Sequence, residues 1–359
     1  MQVGALYSPT EAKEMADRLG VSLEAIELTR RSDLIDLHLD TFLPIRMWGY
    51  DVRARHGTGL LGGIAFGHID IPRAMDAGLS GGLWSITTNP FRTAAGRWQT
   101  FQRNLAKVKE LVETSTGHLR LVRTVAEYQA AKAAGAHAVF LSVQGGNAFD
   151  AAPGLMAAVP DRQVVRVTVL HLTNSALGTA STPVSHLRRN KGLSSAGKAL
   201  IESLNAERVF VDLAHIHPDG FWDAVQVHDK SQPLIDTHTG VSGVTPHWRN
   251  LDDRQIKAIA DTGGTIGIIY SKHFLEGAHG HQDAQMVLEH MQHIIQVAGE
   301  DFVSIGSDYD GAIVPPPDLR SGDSYPYLVQ LMLERGWTEG RIKKILGGNF
   351  LRALAALRG

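Results

Sequence analysis

The stretch Leu34-Ile35-Asp36-Leu37-His38-Leu39-Asp40 decides the fold. Apolar residues alternate with Asp, His and Asp at a period of two, the side-chain period of a β-strand. That period puts His38 and Asp40 on one face, and a His beside a carboxylate is a natural ligand pair for a divalent metal. Seven further short apolar runs follow: Gly82–Thr88, Ala138–Gln144, Arg166–Leu172, Val209–His215, Pro233–His238, Thr265–Tyr270 and Phe302–Asp308. A ninth, Leu119–Arg123, is shorter and reads as an extra edge strand.

Helical patterns fill the gaps: Arg97–Thr114, Thr124–Gly135, Ser195–Glu207, Leu251–Thr262, Asp283–Gly299 and Thr338–Leu357. Thr124 with Glu127 has the spacing of a capping box. Strands alternating with helices predict a parallel sheet covered by helices, and eight such units predict a closed (β/α)8 TIM-type barrel over residues 33–359. An open doubly wound sheet is the competing architecture, but no GxGxxG follows the first strand. Residues 1–32 read as a short helical N-terminal extension, with Ser8-Pro9-Thr10 as a helix start.

Composition narrows the function. The chain has 359 residues, 35 Lys+Arg against 37 Asp+Glu, a formal net charge of −2, and no Cys. The balanced charge gives no electrostatic case for nucleic acid or an anionic membrane. Without Cys, any metal must be held by His, Asp, Glu or neutral oxygens. No run of about 18 apolar residues would span a membrane. Met1–Gly20, with Glu11, Lys13, Glu14, Asp17 and Arg18, does not read as a secretory signal, so a cytoplasmic protein is expected.

In a barrel of this kind the active site gathers at the C-terminal ends of the strands. There the first strand offers His38 and Asp40, the run Val209–His215 offers His215, Pro233–His238 offers His238, and Phe302–Asp308 offers Asp308. One His at a strand end is ordinarily a hydrogen-bonded core residue, and one Asp is ordinarily a helix cap. Four strand ends agreeing favours a metal site. His217 is a rival because it would share a strand face with His215. His279 and His281 fall in a loop pattern, and His290 and His293 in a helix.

These residues resemble the renal (membrane) dipeptidase family of zinc peptidases, among the amidohydrolase-type barrels. The resemblance runs from about Leu34 to Leu354 through Asp36–Asp40 (DLHLD), Ile69–Ser85 (IDIPRAMDAGLSGGLWS), Gly192–Gly197 (GLSSAG), Val211–His215 (VDLAH), Ile305–Gly311 (IGSDYDG) and Gly347–Arg352 (GGNFLR). It implies a metal-dependent dipeptidase, a homodimer, that cleaves small dipeptides, some with a C-terminal D-residue, through hydroxide generated on the metal. Carried over, His38 and Asp40 would bind one zinc, and His215 and His238 the other. Gln144 stands at the bridging position. His171 would contact substrate and the developing oxyanion, Arg249 would pair with the substrate carboxylate, Asp308 would move protons, and Tyr270 would line the pocket.

One departure matters. The family has Glu-Gly-Gly where this chain has Gln144-Gly145-Gly146. Two Zn²⁺ ions about 3.5 Å apart repel by roughly 20 kcal/mol at an effective dielectric near 20. A bridging carboxylate offsets part of that, and a neutral amide does not. Three states are therefore open: two weakly bound metals, one metal on a hydrolase of this or another amide or ester, or an impaired member that binds a small peptide. Asp236, near the rim, is expected to cap a helix or form an ion pair rather than orient a ligand His.

Overall fold

The structure, a computed structural model, describes residues 11–57, 64–185, 191–276 and 283–359. Its strands are β1 (Leu34–Leu39), β2 (Leu79–Thr87), β3 (Leu119–Leu121), β4 (His137–Gln144), β5 (Val164–Thr168), β6 (Phe210–Asp212), β7 (Ile235–Thr239), β8 (Thr265–Ile268) and β9 (Val303–Ile305). All pairings are parallel, in the order β1-β2-β4-β5-β6-β7-β8-β9. The ring closes where Leu39 bridges Tyr309, with Asp308 N donating to His38 O at 3.1 Å and Asp40 N to Tyr309 O at 2.9 Å. This is an α/β barrel of the TIM type. β3 pairs residues 137–139 of β4, and β5 pairs residues 141–144, so the ninth strand is an extra one outside the ring.

Most of the strands are buried from end to end, which is why they read as nearly continuous apolar runs. Their close approach demands small residues. A Cβ on Gly306 would lie 1.7 Å from Thr237 O, and one on Gly267 would lie 2.1 Å from the same oxygen.

Helices start where side chains satisfy free backbone N–H groups. Ser194 accepts from Gly197 N and opens Ser195–Ala206, and Thr93 accepts from Gly96 N and opens Ala94–Glu113. Thr124 caps Val125–Ala133 through Glu127 N at 3.2 Å. The return half of the expected box is displaced by one residue, because Glu127 Oε2 takes the Arg123 N–H at 2.6 Å. The reciprocal box is at Asp252 and Gln255. The predicted helix Thr338–Leu357 is divided by a π-turn, Lys344–Gly348. There Gly347 packs against the chain entering β1, and a Cβ on it would lie 1.9 Å from Asp33 O.

Before β1, helices Ala12–Leu19 and Leu23–Arg31 dock on the barrel. Arg18 pairs with Asp323 at 2.6 Å, Arg31 with Glu339 at 2.7 Å, and Ser22 N donates to Gln330. The expected start at Ser8-Pro9-Thr10 lies outside the described residues.

Candidate metal centre

His38, Asp40, Gln144, His171, His215, His238, Arg249 and Asp308 all converge on the C-terminal mouth of the barrel. All but His38 line one cavity of about 530 Å³. His38, fully buried, forms its floor, with its ring 3.8 Å from that of His238. His38 and Asp40 leave β1 on the same face, and Gln144 and His238 come from the ends of β4 and β7. The other polar groups lie just past shorter strands than the sequence suggests. β5 stops at Thr168, so His171 is on a loop; β6 stops at Asp212, and His215 turns inward at φ 66°. Asp308 likewise follows β9 at φ 61°. These left-handed conformations are unusual for residues other than glycine, and here they aim ligand-type side chains into the site.

His215 Nε2 and His238 Nε2 are 2.8 Å apart, so two imidazole edges face one point. A nitrogen of His38, a nitrogen of His238 and a carboxylate oxygen of Asp308 lie within 4.8 Å of one another. Burial pushes His215 and His238 well below the ordinary imidazole range, with neighbouring charges adding to it, and takes His171 to about 4. The imidazoles are therefore neutral at pH 7, the state a metal ligand requires. Burial, then the Asp40 charge, raises the Asp308 carboxyl well above its usual range, against the pull of Arg249.

Gln144 sits at the centre of the ligand set. With nitrogen facing carboxylate and oxygen facing imidazole, its amide donates to both Asp40 oxygens at 3.2 Å. Its Oε1 accepts from His38 Nε2 and His171 Nε2, each at 3.2 Å. Arg249 is buried and donates to His238 O at 2.8 Å, while its Nε has no hydrogen-bond partner among the described residues. A guanidinium that lines a cavity and still has a donor without a partner is suited to an anionic ligand group.

Three expectations need correction. Tyr270 is not among the residues lining the cavity; Ile269 and Ser271 are, and the fully buried Tyr270 ring packs edge-on to Tyr309 at 5.6 Å. β8 ends at Ile268, so Tyr270 lies past the strand. His217 is no rival ligand. It precedes helix Pro218–Val227 and its Nδ1 accepts from Asp219 N at 3.1 Å, as a helix cap. Asp236 caps no helix: it lies within β7, and neither carboxylate oxygen has a hydrogen-bond partner among the described residues. Burial lifts its carboxyl to about 7, and the nearby Arg249 charge opposes the rise. Of the remaining His, His290 is buried and accepts from Val241 N at 2.8 Å, and His293 pairs with Asp253. His279 and His281 lie outside the described residues.

The sequence reading passed over Arg166 and Asp212. Arg166 rises from β5 fully buried, and Asp212 accepts from Thr168, Thr237 and Ala214. The signal for Arg166 was a lone cation inside the apolar run Val164-Val165-Arg166-Val167.

Neutral imidazoles and carboxylates at the mouth of a parallel barrel define a metal-dependent hydrolase. Residues 23–358 match the membrane dipeptidase family, peptidase family M19, and the chain belongs to that family. It is a metallo-dipeptidase by that membership. A protein of Klebsiella pneumoniae described as an uncharacterized protein in the pqqA 5′ region is 30% identical over 270 residues, covering 72% of this chain and 94% of that one. A crystal structure of a family M19 dipeptidase is 25% identical with a TM-score of 0.78, over 91% of this chain and 98% of that one. A Rhodobacter sphaeroides metallopeptidase, liganded with a phosphinate mimic of L-Ala-D-Ala, is 24% identical with a TM-score of 0.78, over 91% and 99%. No helix among the described residues is long and apolar enough to cross a membrane.

Proposed function

We propose that this chain hydrolyses the peptide bond of free dipeptides, including those with a C-terminal D-residue, in the cavity at the barrel mouth. The observation that carries the reading is the pairing, in one cavity of about 530 Å³, of the converging His215–His238 edges with Arg249, whose Nε has no hydrogen-bond partner among the described residues. That volume lies within the range of small-molecule sites, roughly 300–1,000 Å³.

His215 and His238, with Asp308 facing them, would hold zinc. A divalent metal there supplies a Lewis acid and makes a nucleophile available from water at neutral pH. Arg249 binds the α-carboxylate as a fork, which fixes the length of the substrate to two residues. His171, whose Nε2–H already points at Gln144 Oε1, donates to the oxygen of the carbonyl under attack. Asp308 takes the proton of the attacking water and returns it to the leaving amine. Leu172, Phe274 and Val314 give the cavity apolar walls that limit water around these groups.

Gln144 favours a second reading, a family member that binds a dipeptide without cleaving it. A panel of L-Xaa-L-Xaa and L-Xaa-D-Xaa dipeptides with Zn²⁺, Mn²⁺ or Co²⁺ separates the two. L-Ala-D-Ala is included because of the ligand in the Rhodobacter sphaeroides structure. Turnover of dipeptides but not of their C-terminal amides supports hydrolysis. Binding of dipeptides with no turnover under any metal supports the second reading.

A further inference from the structure

The two halves of the ligand set differ in a way that the hydrogen bonds make explicit. At His238, Thr237 Oγ1 donates its single hydrogen to Asp212 Oδ2 at 2.7 Å, because a carboxylate only accepts. The same Thr237 oxygen lies 2.9 Å from His238 Nδ1 and must therefore accept there. His238 thus carries its hydrogen on Nδ1 and presents the Nε2 lone pair to the cavity. This is the arrangement of an imidazole that ligates a metal through Nε2 and donates its other N–H to a neighbour.

His38 has the opposite arrangement. Arg166 Nη2 lies 2.8 Å from His38 Nδ1, and both residues are fully buried. A guanidinium has donors only, so Nδ1 must accept. A neutral imidazole has one accepting nitrogen, so the His38 hydrogen is on Nε2. Gln144 Oε1 stands 3.2 Å from that Nε2 and accepts from it. The Gln144 amide then donates to both oxygens of Asp40. Arg166 itself is held in place by Thr168 Oγ1 at 2.6 Å, Ser85 Oγ at 3.0 Å and the Asp212 carboxylate at 3.4 Å.

The series runs from donor to acceptor at each step: Arg166 Nη2 to His38, His38 to Gln144, Gln144 to Asp40. The His38 lone pair and the inner face of Asp40, which a metal between them would need, are both engaged. We propose that this series occupies the first metal position, with the Arg166 guanidinium supplying the positive charge there, so that the protein holds one divalent metal, on the His215–His238 side. Gln144 and Arg166 act together. One removes a negative charge from between the metals, and the other adds a positive charge behind His38. The proposal rests on the metal-dependent reading above, and deepens it by fixing the number and place of the metal.

The test is zinc per chain, measured by elemental analysis on the full-length protein after equilibration with excess zinc and desalting. The expected result is one. Two zinc per chain, or none, overturns the proposal. A second readout is the ¹⁵N spectrum of histidine-labelled, zinc-saturated protein, with His38 assigned by comparison with His38→Asn. The His38 ring is expected to keep its hydrogen on Nε2 with Nδ1 bare, while His238 carries its hydrogen on Nδ1. A His38 hydrogen on Nδ1 overturns the proposal even if Arg166 variants do not fold. Gln144→Glu alone is expected to leave one zinc, because Arg166 still holds Nδ1. Gln144→Glu with Arg166→Met is expected to raise the count to two, and a second zinc in Gln144→Glu alone counts against the role of Arg166. One zinc without dipeptide turnover would overturn the dipeptidase reading alone. Two zinc with turnover would overturn this proposal alone.

Discussion

Arg249→Ala should weaken the handling of free dipeptides far more than that of dipeptide amides. Arg249 is buried, has one N–H committed to His238 O, and leaves its Nε without a partner. A guanidinium and a carboxylate about 4 Å apart interact by about 4 kcal/mol at an effective dielectric near 20. Truncating one member of a desolvated charge pair ordinarily costs about 2–5 kcal/mol. A loss of about 3 kcal/mol corresponds to roughly a 150-fold fall in kcat/KM for a free dipeptide. Arg249→Ala also disturbs the His238 backbone and leaves Asp236 without its nearby cation. Those effects fall on every substrate, so the assay compares one dipeptide with its own C-terminal amide in the same variant. The ratio of the two losses isolates the carboxylate contact. Arg249→Lys keeps a charge without the fork and should recover only part of the loss. Equal losses on the free acid and the amide would remove Arg249 from carboxylate recognition.

Three other perturbations test separate parts of the account. Asp308→Asn should lower kcat by about 10²–10⁴-fold, the usual worth of a positioned acid–base group, with the fold intact by circular dichroism; near-normal turnover would end the proton-transfer role. Gly306→Ala should lower Tm sharply or prevent folding, since its Cβ would meet Thr237 O at 1.7 Å; a calorimetric Tm equal to that of the unaltered protein would contradict the packing described. His290 is held neutral at about 4 by burial, below the 6.5 of the unfolded chain, so the unfolded state takes up the proton first. Its contribution is complete above pH 6.5 and is lost as pH falls from 6.5 toward 4, by about 3 kcal/mol at most. His137, also near 4, acts in the same direction. The fall in stability between pH 7 and 4.5 should therefore be shallower in His290→Gln, and an identical slope in urea melts would dismiss the linkage.

The barrel was legible because its strands are buried on both faces and separated by helices with clear caps, so LIDLHLD and its seven companions read directly as strands. The convergence of His38, Asp40, His215, His238 and Asp308 followed from the rule that such sites sit at strand ends. Three things were not legible, for physical reasons. The positive φ at His215 and Asp308 is set by the short loops they sit in, and the mild left-handed preference of His and Asp is too weak to announce it. Tyr270 was misplaced because β8 ends two residues earlier, and the residues on either side of Tyr270 face the cavity instead. The role of Arg166 was hidden because His38, Ser85 and Asp212 come from three other strands and meet it only once the sheet has formed. A long gap in sequence separates Arg166 from His38, so the lone cation in Val164-Val165-Arg166-Val167 does not name its partner.

The central claim is that a metal held at the barrel mouth lets this chain cleave dipeptides. The most direct measurement is the rate of L-Ala-L-Ala and L-Ala-D-Ala hydrolysis before chelation, after chelation and desalting, and after zinc is restored, with His238→Ala carried in parallel. The account predicts turnover that is lost on chelation, recovered with zinc, and absent in His238→Ala at every stage. Turnover that survives complete removal of metal, or that persists in His238→Ala, would contradict it.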